Sequence, residues 1–178
     1  FGSKLARLVA LLRAMVVREP GAQAVVFSTW GRVLRLAERA LDAGSIAHCA
    51  LGGGRRGETA LRRFRVEPAL TVLFVPLRRA AGATGLTLTN AHYAFMLEAS
   101  LASALEDQAV GRLWRIGQQR PVTVLRLVSE GTVERGILAL QERRKRHGAS
   151  RAATRAEKET ERLRHVERLF AVDDRPST

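Results

Sequence analysis

The sequence predicts an α/β protein in which helices cover both faces of a parallel β-sheet. Short apolar runs alternate along the chain with longer stretches whose apolar residues recur at helical spacing, and this alternation is typical of parallel sheets. The chain has 178 residues, of which 46% are hydrophobic, so it is long enough to enclose one sizeable core. One domain is therefore the expected organisation of most of the chain.

The first predicted element is a helix over Lys4–Val17, which Glu19-Pro20-Gly21 ends. After it, strands and helices alternate, and Gly44 ends the second helix. The predicted strands are Ala24–Ser28, Ile46–Leu51, Leu70–Val75, His92–Leu97 and Val122–Val128. The predicted helices between them are Trp30–Ala43, Thr59–Phe64 and Ser103–Trp114.

A further helix is predicted after the last strand, with Thr132 as its N-cap. The basic run at 143–146 is open to three interpretations: a contact to a DNA backbone, a nuclear-import signal, or a solvated helix end that the helix dipole favours. We assign residues 1–147 to the main domain. Residues 148–178, rich in Ala, Arg and Glu, are predicted to form a partly disordered helical extension.

The charge of the chain predicts a polyanionic partner. Thirty basic residues against 17 acidic ones give a net charge of +13. Arginine accounts for 27 of the 30 basic residues, so biased coding is the alternative explanation. The excess of basic residues lies outside residues 87–140, since that segment carries five basic and five acidic side chains. The DNA-facing charge is therefore expected outside that segment.

Cysteine content and hydropathy exclude several classes of protein. Cys49 is the only cysteine, which excludes a disulfide framework and a multi-cysteine zinc site and favours a reducing compartment. His48 and Cys49 are expected to be core residues, and we predict no metal site. The apolar runs are far shorter than a membrane span, so no membrane partner is expected.

Three loops that follow predicted strands carry residues suited to phosphate. In parallel sheets, ligands bind at the loops leaving the carboxyl ends of the strands. Glycines let backbone N–H groups approach phosphate closely, and hydroxyls add neutral donors. Each loop alone is also typical of an ordinary turn. The loops are Ser28-Thr29-Trp30, Gly52-Gly53-Gly54-Arg55-Arg56, and Gly82-Ala83-Thr84-Gly85 with Thr87.

The segment QAVGRLWRIGQ, residues 108–118, places Arg112 and Arg115 three residues apart before a glycine. On a helix these positions share a face, so the two guanidiniums would converge on one anion, such as a transferring γ-phosphoryl group. An exposed basic helix turn is the alternative. Trp114 is expected to bury its ring and fix the helix, and Trp30 to pack against the sheet or stack on a base.

The sequence contains no G-x-x-x-x-G-K-[ST] segment and no acidic pair after an apolar strand. It therefore lacks the residues that cradle nucleotide phosphates and magnesium. A second lobe is expected to supply them.

Three segments resemble, in order and spacing, motifs IV, V and VI of superfamily-two helicases. They are VVFSTW at 25–30, GATGLTLTNA at 82–91 and QAVGRLWRIGQQRPV at 108–122. The RIGQ ending followed by a proline strand is similar to the SWI/SNF-related branch rather than to the DEAD-box branch. The similarity covers roughly residues 2–147 and implies a RecA-like second lobe without its own P-loop.

The resemblance also implies roles for particular residues. Arg112 and Arg115 would be arginine fingers that reach ATP with Mg²⁺ on the other lobe. Gln108 would orient them, and Gly111 would permit close approach to the nucleotide. The remaining implied contacts are Gly85, Thr84 and Thr87, which would couple nucleotide state to DNA, and Ser28, Thr29, Arg55 and Arg56, which would contact DNA.

The function implied is that of one lobe of a nuclear, ATP-dependent, DNA-stimulated translocase acting in chromatin or DNA repair. Its partners would be the N-terminal lobe, double-stranded DNA or chromatin, and, through regions outside this chain, the ubiquitination machinery. A non-catalytic DNA-binding or scaffold lobe and an RNA helicase lobe are the alternatives.

The chain departs from the family pattern at three places. Residues 98–103 lack the acidic-Pro and Asn-Pro pairs that are common before motif VI. Arg78-Arg79-Ala80-Ala81 adds residues before the motif V glycine, and Gly52-Gly53 lacks the usual acidic neighbour. We therefore expect the fold to be better preserved than the coupling of ATP to DNA.

Overall fold

Five parallel strands form one sheet in the order β2-β3-β1-β4-β5. The computed structural model describes residues 2–83 and 85–146. Thr84 and the predicted extension at 148–178 lie outside the described residues. The described chain divides after Val128 into two units. The strands are β1 Ala24–Ser28, β2 His48–Ala50, β3 Val72–Pro76, β4 Tyr93–Met96 and β5 Thr123–Arg126.

Helices connect successive strands, as right-handed crossovers between parallel strands require. The connecting helices are α2 Gly31–Ala43, α3 Gly54–Val66, α4 Leu77–Gly82 and α5 Ser103–Val110, and α1 Ser3–Arg18 precedes the first strand. Helix α6, Val133–Arg146, belongs to the second unit.

Alternate residues of the central strand β1 supply two separate cores, because successive side chains of a strand point to opposite faces. Val26 packs with the apolar sides of α1 and α2, including Leu12 and Leu41. Val25 packs on the opposite face with residues of the other helices, including Phe64 of α3. The prediction of a parallel sheet covered on both faces is confirmed.

Three helices differ from the sequence prediction. Helix α3 begins at Gly54 rather than at Thr59, so Arg55 and Arg56 lie on its first turn and not in a loop. Helix α5 ends at Val110 rather than at Trp114, and the chain continues in tight turns whose i→i+3 bonds include Leu113 N to Val110 O at 2.9 Å. The added residues before the motif V glycine form α4, which sequence periodicity did not reveal because six residues are too few to show it. Arg112 and Arg115 therefore lie on turns and not on a helix face.

In the second unit, Thr132 caps α6 as predicted. Its Oγ1 accepts a hydrogen bond from the Glu134 amide at 3.3 Å and donates one to the Ser129 carbonyl at 2.8 Å. The Glu134 carboxylate in turn accepts from the Ser129 amide at 2.7 Å. The bond from Thr132 satisfies an amide that the helix start leaves without an intrahelical partner, and the Glu134 carboxylate holds the chain that leads into the helix.

Candidate functional site

Glu98, which follows β4, binds the residues at the carboxyl end of β1. The Glu98 carboxylate accepts hydrogen bonds from Ser28 Oγ at 2.9 Å, from Thr29 Oγ1 at 2.5 Å and from the Thr29 amide. The Ser28 side chain is buried, with 1% of its surface exposed. Both hydroxyls that the resemblance assigns to DNA are therefore already bonded within the lobe, and their role toward DNA stays a prediction.

From the sequence, Glu98 was expected only as part of a departure from the family pattern. Its partners lie 69 and 70 residues earlier in the chain. They meet because β1 and β4 are adjacent and parallel, which brings both carboxyl ends to one edge. The acidic residue after a predicted strand was the available signal.

The glycine loop after β2 packs tightly against the start of α3. A Cβ placed on Gly57 would lie 2.1 Å from the carbonyl oxygen of Gly52, so only glycine fits there. Arg55 and Arg56 on the first turn of α3 are exposed, and their side chains form no hydrogen bond or ion pair with described residues. The first turn of α3 thus presents two guanidiniums at the carboxyl edge of the sheet.

The motif V loop follows α4, and its first predicted residue, Gly82, is the last residue of that helix. Gly85 is exposed and has a φ of +78°, a backbone conformation that favours glycine. Thr87 is half-buried, and its carbonyl accepts a hydrogen bond from Arg65 Nη2 at 2.7 Å. Thr84, also assigned to this loop by the resemblance, lies outside the described residues.

Arg112 donates two hydrogen bonds to the end of α4. Its Nε bonds the Ala80 carbonyl and its Nη2 the Ala81 carbonyl, each at 3.0 Å. The side chain is half-buried. A helix leaves its last carbonyls without intrahelical partners, and an arginine near this end also interacts favourably with the helix dipole. Arg112 is therefore engaged within the lobe.

Arg115 is exposed, and Nη1 has one long bond to Thr87 Oγ1, at 3.3 Å. Gln108, on α5, is also exposed. Gly111 has a φ of −61°, and a Cβ there would meet its nearest neighbours at 3.4 Å, which is ordinary contact. Nothing in the described residues requires glycine at this position, so the close approach assigned to Gly111 stays a prediction.

The prediction that Trp114 buries its ring was wrong, and so was the packing of Trp30 against the sheet; stacking of Trp30 on a base stays a prediction. Trp114 is 78% exposed and Trp30 is 66% exposed, while Ile116 is fully exposed beside Arg115. Trp114 misses the core because α5 ends at Val110, and the buried apolar residue of this turn is Leu113. The exposed apolar side chains flank the exposed arginine.

A buried carboxylate that sequence analysis missed fixes α5. Glu106 is 1% exposed and binds Arg126 Nε of β5 at 3.0 Å. It also accepts from the Ser100 amide at 2.8 Å. Beyond the arginine turn, Gln118 Nε2 bonds the Ala91 carbonyl at 2.9 Å. These bonds set the position of the arginine turn from both sides.

A second polar cluster lies at the opposite, amino edge of the sheet. Glu19 accepts from His92 Nε2 at 3.0 Å, from the Tyr93 hydroxyl at 3.1 Å and from Arg120 Nη1 at 2.7 Å. The hydrogen bond from His92 is the main cause that lowers the pKa of Glu19 below its ordinary value. This edge is opposite the strand ends that carry Ser28 and Glu98.

His48 and Cys49 are half-buried in β2, so the prediction that they are core residues holds in part. The His48 ring packs edge-on against the Phe74 ring, with 5.4 Å between the ring centroids. Burial raises the pKa of the Cys49 thiol to about 11, which disfavours the reactive thiolate.

Within residues 2–83 and 85–146, no three His, Cys, Asp or Glu side chains are grouped so that they could hold a metal ion. No helix in the same part of the chain is long and apolar enough to cross a membrane.

Comparison with known proteins identifies the family. The model of the helicase conserved C-terminal domain matches residues 3–117. The chain is 32% identical over 155 residues to the human E3 ubiquitin-protein ligase SHPRH, a match that covers 87% of this chain and 9% of that protein. It is 33% identical over 173 residues to the DNA repair protein RAD5 of Gibberella zeae, covering 95% of this chain and 15% of that protein.

The crystal structure of the C-terminal part of the Fun30 ATPase domain shares the fold. It superposes with a TM-score of 0.73 at 20% identity and covers 78% of this chain and 45% of that one. The chain thus spans a small part of the length of these relatives. The sheet is a RecA-like α/β lobe, and the chain belongs to the helicase conserved C-terminal domain family.

Proposed function

We propose that this chain is the second lobe of a SWI/SNF-type translocase that hydrolyses ATP, is stimulated by DNA and moves along duplex DNA. One observation carries the proposal. Arg115 is an exposed arginine with a single long hydrogen bond, in a turn with the sequence of motif VI, within a family of helicase lobes. Its guanidinium is available for a ligand that this chain alone does not hold.

The residues of this chain fit only part of an ATP site. The sequence has no P-loop segment, and the described residues offer no group of ligands for Mg²⁺. ATP with Mg²⁺, held mainly by the N-terminal lobe, supplies the γ-phosphoryl group that is transferred to water. The part of this lobe is to place positive charge beside that group, where charge grows during the reaction.

Arg115 is the arginine finger that this geometry supports best. A guanidinium stabilises a transferring phosphoryl group by charge and by paired N–H donors, and it must be free to reach across the cleft. Gln108, which is exposed on α5, would orient it. The same role for Arg112 stays a prediction from the resemblance.

The DNA-facing surface in this proposal comprises the glycine loop after β2 and the motif V loop. Arg55 and Arg56 would pair with phosphates without reading sequence, and Gly85 and Thr87 would bring the backbone close to them. The Ser28 and Thr29 hydroxyls would contact DNA only if their hydrogen bonds to Glu98 broke.

ATP turnover of the full-length protein with Arg115→Ala tests the proposal. We expect a fall of roughly a thousandfold or more, because removing an arginine finger has effects of that size. Arg39→Ala is the matched control, since Arg39 is an exposed arginine of α2 whose side chain makes no hydrogen bond or ion pair with the described residues. Near-normal turnover of Arg115→Ala would overturn the assignment.

A scaffold lobe without turnover is the second candidate. Two observations favour it: Ser28 and Thr29 are bonded to Glu98, and Arg112 is bonded to carbonyls. ATPase assays of the full-length protein without nucleic acid, with duplex DNA and with RNA separate the candidates. Stimulation by duplex DNA supports the translocase, no turnover supports the scaffold, and selective stimulation by RNA supports an RNA helicase.

We further propose a nuclear protein that acts in chromatin or DNA repair, as the names of RAD5 and the SWI/SNF-related relatives indicate for those proteins. A ubiquitin ligase activity would belong to regions outside this chain. Imaging of the tagged full-length protein tests the location, and a persistent cytoplasmic signal would contradict it.

A further inference from the structure

We infer that Glu19, at the end of α1, is a positioning residue for Arg115. Through Arg120 it holds the segment that leaves the arginine turn, which comprises residues 111–117. The inference rests on the proposed function, because it concerns how the proposed finger is kept in place. It is carried by a chain of hydrogen bonds that runs from the amino edge of the sheet to the backbone of the turn.

The Glu19 carboxylate is held by two side chains at the start of β4. It accepts hydrogen bonds from His92 Nε2 at 3.0 Å and from the Tyr93 hydroxyl at 3.1 Å. Both of these side chains are buried, and Arg18 Nη2 donates to the same hydroxyl at 2.9 Å. The Glu19 amide also bonds the Met15 carbonyl at 2.8 Å. The carboxylate therefore has a defined position, which an isolated exposed glutamate would lack.

Arg120 connects this carboxylate with the segment that leaves the arginine turn. Its Nη1 donates to Glu19 Oε1 at 2.7 Å, a distance typical of a charge-assisted hydrogen bond. The Arg120 amide donates to Gln118 Oε1 at 3.0 Å. An isolated surface ion pair contributes little because two long side chains must be ordered. In this pair one partner is already held by buried groups, so only Arg120 has to be ordered.

Gln118 continues the connection into the turn. Its Nε2 donates to the Leu113 carbonyl at 3.2 Å and to the Ala91 carbonyl at 2.9 Å. Its amide donates to the Arg115 carbonyl at 2.9 Å. The backbone on both sides of Arg115 is thus bonded to one glutamine, and the side chain of that glutamine is bonded to Arg120.

Parallel pairing of β4 and β5 brings these groups together. Tyr93 pairs with Thr123, whose amide donates to the His92 carbonyl at 2.8 Å. The chain that leaves the arginine turn therefore enters the sheet beside the residues that hold Glu19. The start of β5 and the Glu19–Arg120 pair both restrain the segment between the turn and the sheet.

Arg115 depends on these restraints because its own side chain has only one long bond. Its guanidinium is therefore placed mainly by the backbone that carries it. A misplaced charge loses much of its effect on a transition state, even when the change lies away from the chemistry. The expected sign of a positioning residue is a lower kcat with an unchanged KM for ATP, since the other lobe is proposed to hold ATP.

The test compares Arg120→Ala with Arg63→Ala in the full-length protein. Arg63 pairs with Glu67 at 2.9 Å, and its side chain is 50% exposed, close to the 58% of Arg120. The control therefore removes an ion pair of the same kind at the end of α3. For Arg120→Ala we expect kcat at saturating duplex DNA to fall about fivefold or more, with the KM for ATP changed less than about twofold. Arg63→Ala should change both by less than about 1.5-fold.

Two further variants separate the pair from a general loss of structure. Glu19→Gln removes the charge but keeps the shape and an acceptor, and should lower kcat about as much as Arg120→Ala. Combining the two changes should cost no more than the larger single loss, because both break the same connection. Arg120→Lys should bring kcat back to within about twofold of the unchanged protein, since the pair uses one donor nitrogen and lysine keeps the charge.

Hydrogen exchange of the full-length protein gives a readout that does not depend on activity. Arg120→Ala should speed exchange of the amides in 115–120, including that of Gln118, which bonds the Arg115 carbonyl. Arg63→Ala should leave their exchange unchanged. The midpoint of thermal unfolding should shift by less than about 3 °C in both variants, because exposed ion pairs add little stability.

Four outcomes would overturn the inference. They are a kcat for Arg120→Ala equal to that for Arg63→Ala, a loss of kcat that Arg120→Lys does not reverse or that accompanies a larger shift of the midpoint, additive losses in the double variant, and unchanged exchange in 115–120. Near-normal turnover of Arg115→Ala would instead count against the proposed function. In that case the exchange comparison still decides whether Glu19 and Arg120 hold the turn.

Discussion

The end of β1 and the turn after α5 use their polar groups in opposite ways. At the end of β1, the hydroxyls of Ser28 and Thr29 donate to Glu98 and the Ser28 side chain is buried. In the turn, Arg115 and its neighbour Trp114 are exposed, and Arg115 has one long bond. Both segments carry helicase motifs, yet only the turn presents unoccupied donors.

The comparison separates residues that set geometry from residues that are free to bind. A polar group already bonded in a buried setting stabilises the lobe, and a ligand must break that bond before using it. An exposed guanidinium reaches a ligand at little internal cost. Motif resemblance alone does not distinguish these two cases, because it assigns ligand contacts to both segments.

The largest effect is expected for Arg115, the exposed residue in this comparison. Arg115→Ala should reduce ATP turnover of the full-length protein roughly a thousandfold. Its free energy of unfolding should change by less than about 0.5 kcal/mol, because an exposed side chain with one long bond adds little stability. Urea denaturation monitored by circular dichroism measures the second quantity. A fall in the free energy of unfolding large enough to explain the lost ATP turnover would show that Arg115 is structural.

The second largest effect is expected at the end of β1, where the polar groups are already hydrogen-bonded. Glu98→Ala should lower the free energy of unfolding by about 2–3 kcal/mol, because it removes hydrogen bonds to a charged acceptor and leaves the buried Ser28 hydroxyl without it. Glu98→Gln should cost less, since its amide oxygen still accepts. Glu130→Ala, at an exposed position, is the control for denaturation. An unchanged unfolding midpoint for Glu98→Ala would break the comparison.

A smaller effect is expected for the glycine loop after β2, whose arginines resemble Arg115 in exposure. The double variant Arg55→Ala, Arg56→Ala should weaken duplex DNA binding of the full-length protein about tenfold and lower the slope of log affinity against log salt by about two. Arg32→Ala, Arg35→Ala removes the same charge from exposed positions on α2. The same loss in both double variants would show that net charge alone matters.

The smallest effect belongs to Trp114. Because its ring is 78% exposed, Trp114→Ala should change the free energy of unfolding by less than about 0.5 kcal/mol. Phe64→Ala is the matched aromatic control, because Phe64 is fully buried and its truncation should cost about 3–5 kcal/mol. Thermal denaturation of both variants tests the pair. A cost for Trp114 close to that for Phe64 would mean that the ring is covered in the folded protein.

The predictability of particular residues follows the range of the interactions that place them. The strand at Ala24–Ser28 was predicted with its observed bounds because five successive buried positions need five residues that tolerate burial. The Thr132 cap was predicted because a helix start is governed by residues within a turn of it. Glu98 as the partner of Ser28 was missed because nothing local pairs residues 70 positions apart.

The ends of α5 and the existence of α4 show the same limit. Apolar spacing continues past Val110 through Leu113, so periodicity alone extends the helix. In the structure, Leu113 still reaches the core, but through a tight turn that exposes Trp114 and Arg115. The residue at which α5 ends therefore depends on how this segment packs on the sheet.

By itself, the sequence determined the alternation of helices and strands, the parallel sheet and the three helicase motifs, because these depend on which residues occur at which spacing. Only the tertiary structure decided which motif side chains are already bonded and which are open. Arg112 and Arg115 are identical in type and three residues apart, yet one holds the end of α4 and the other faces solvent. Their difference depends on backbone carbonyls brought in from 31 and 32 residues away, and such partners are set by packing.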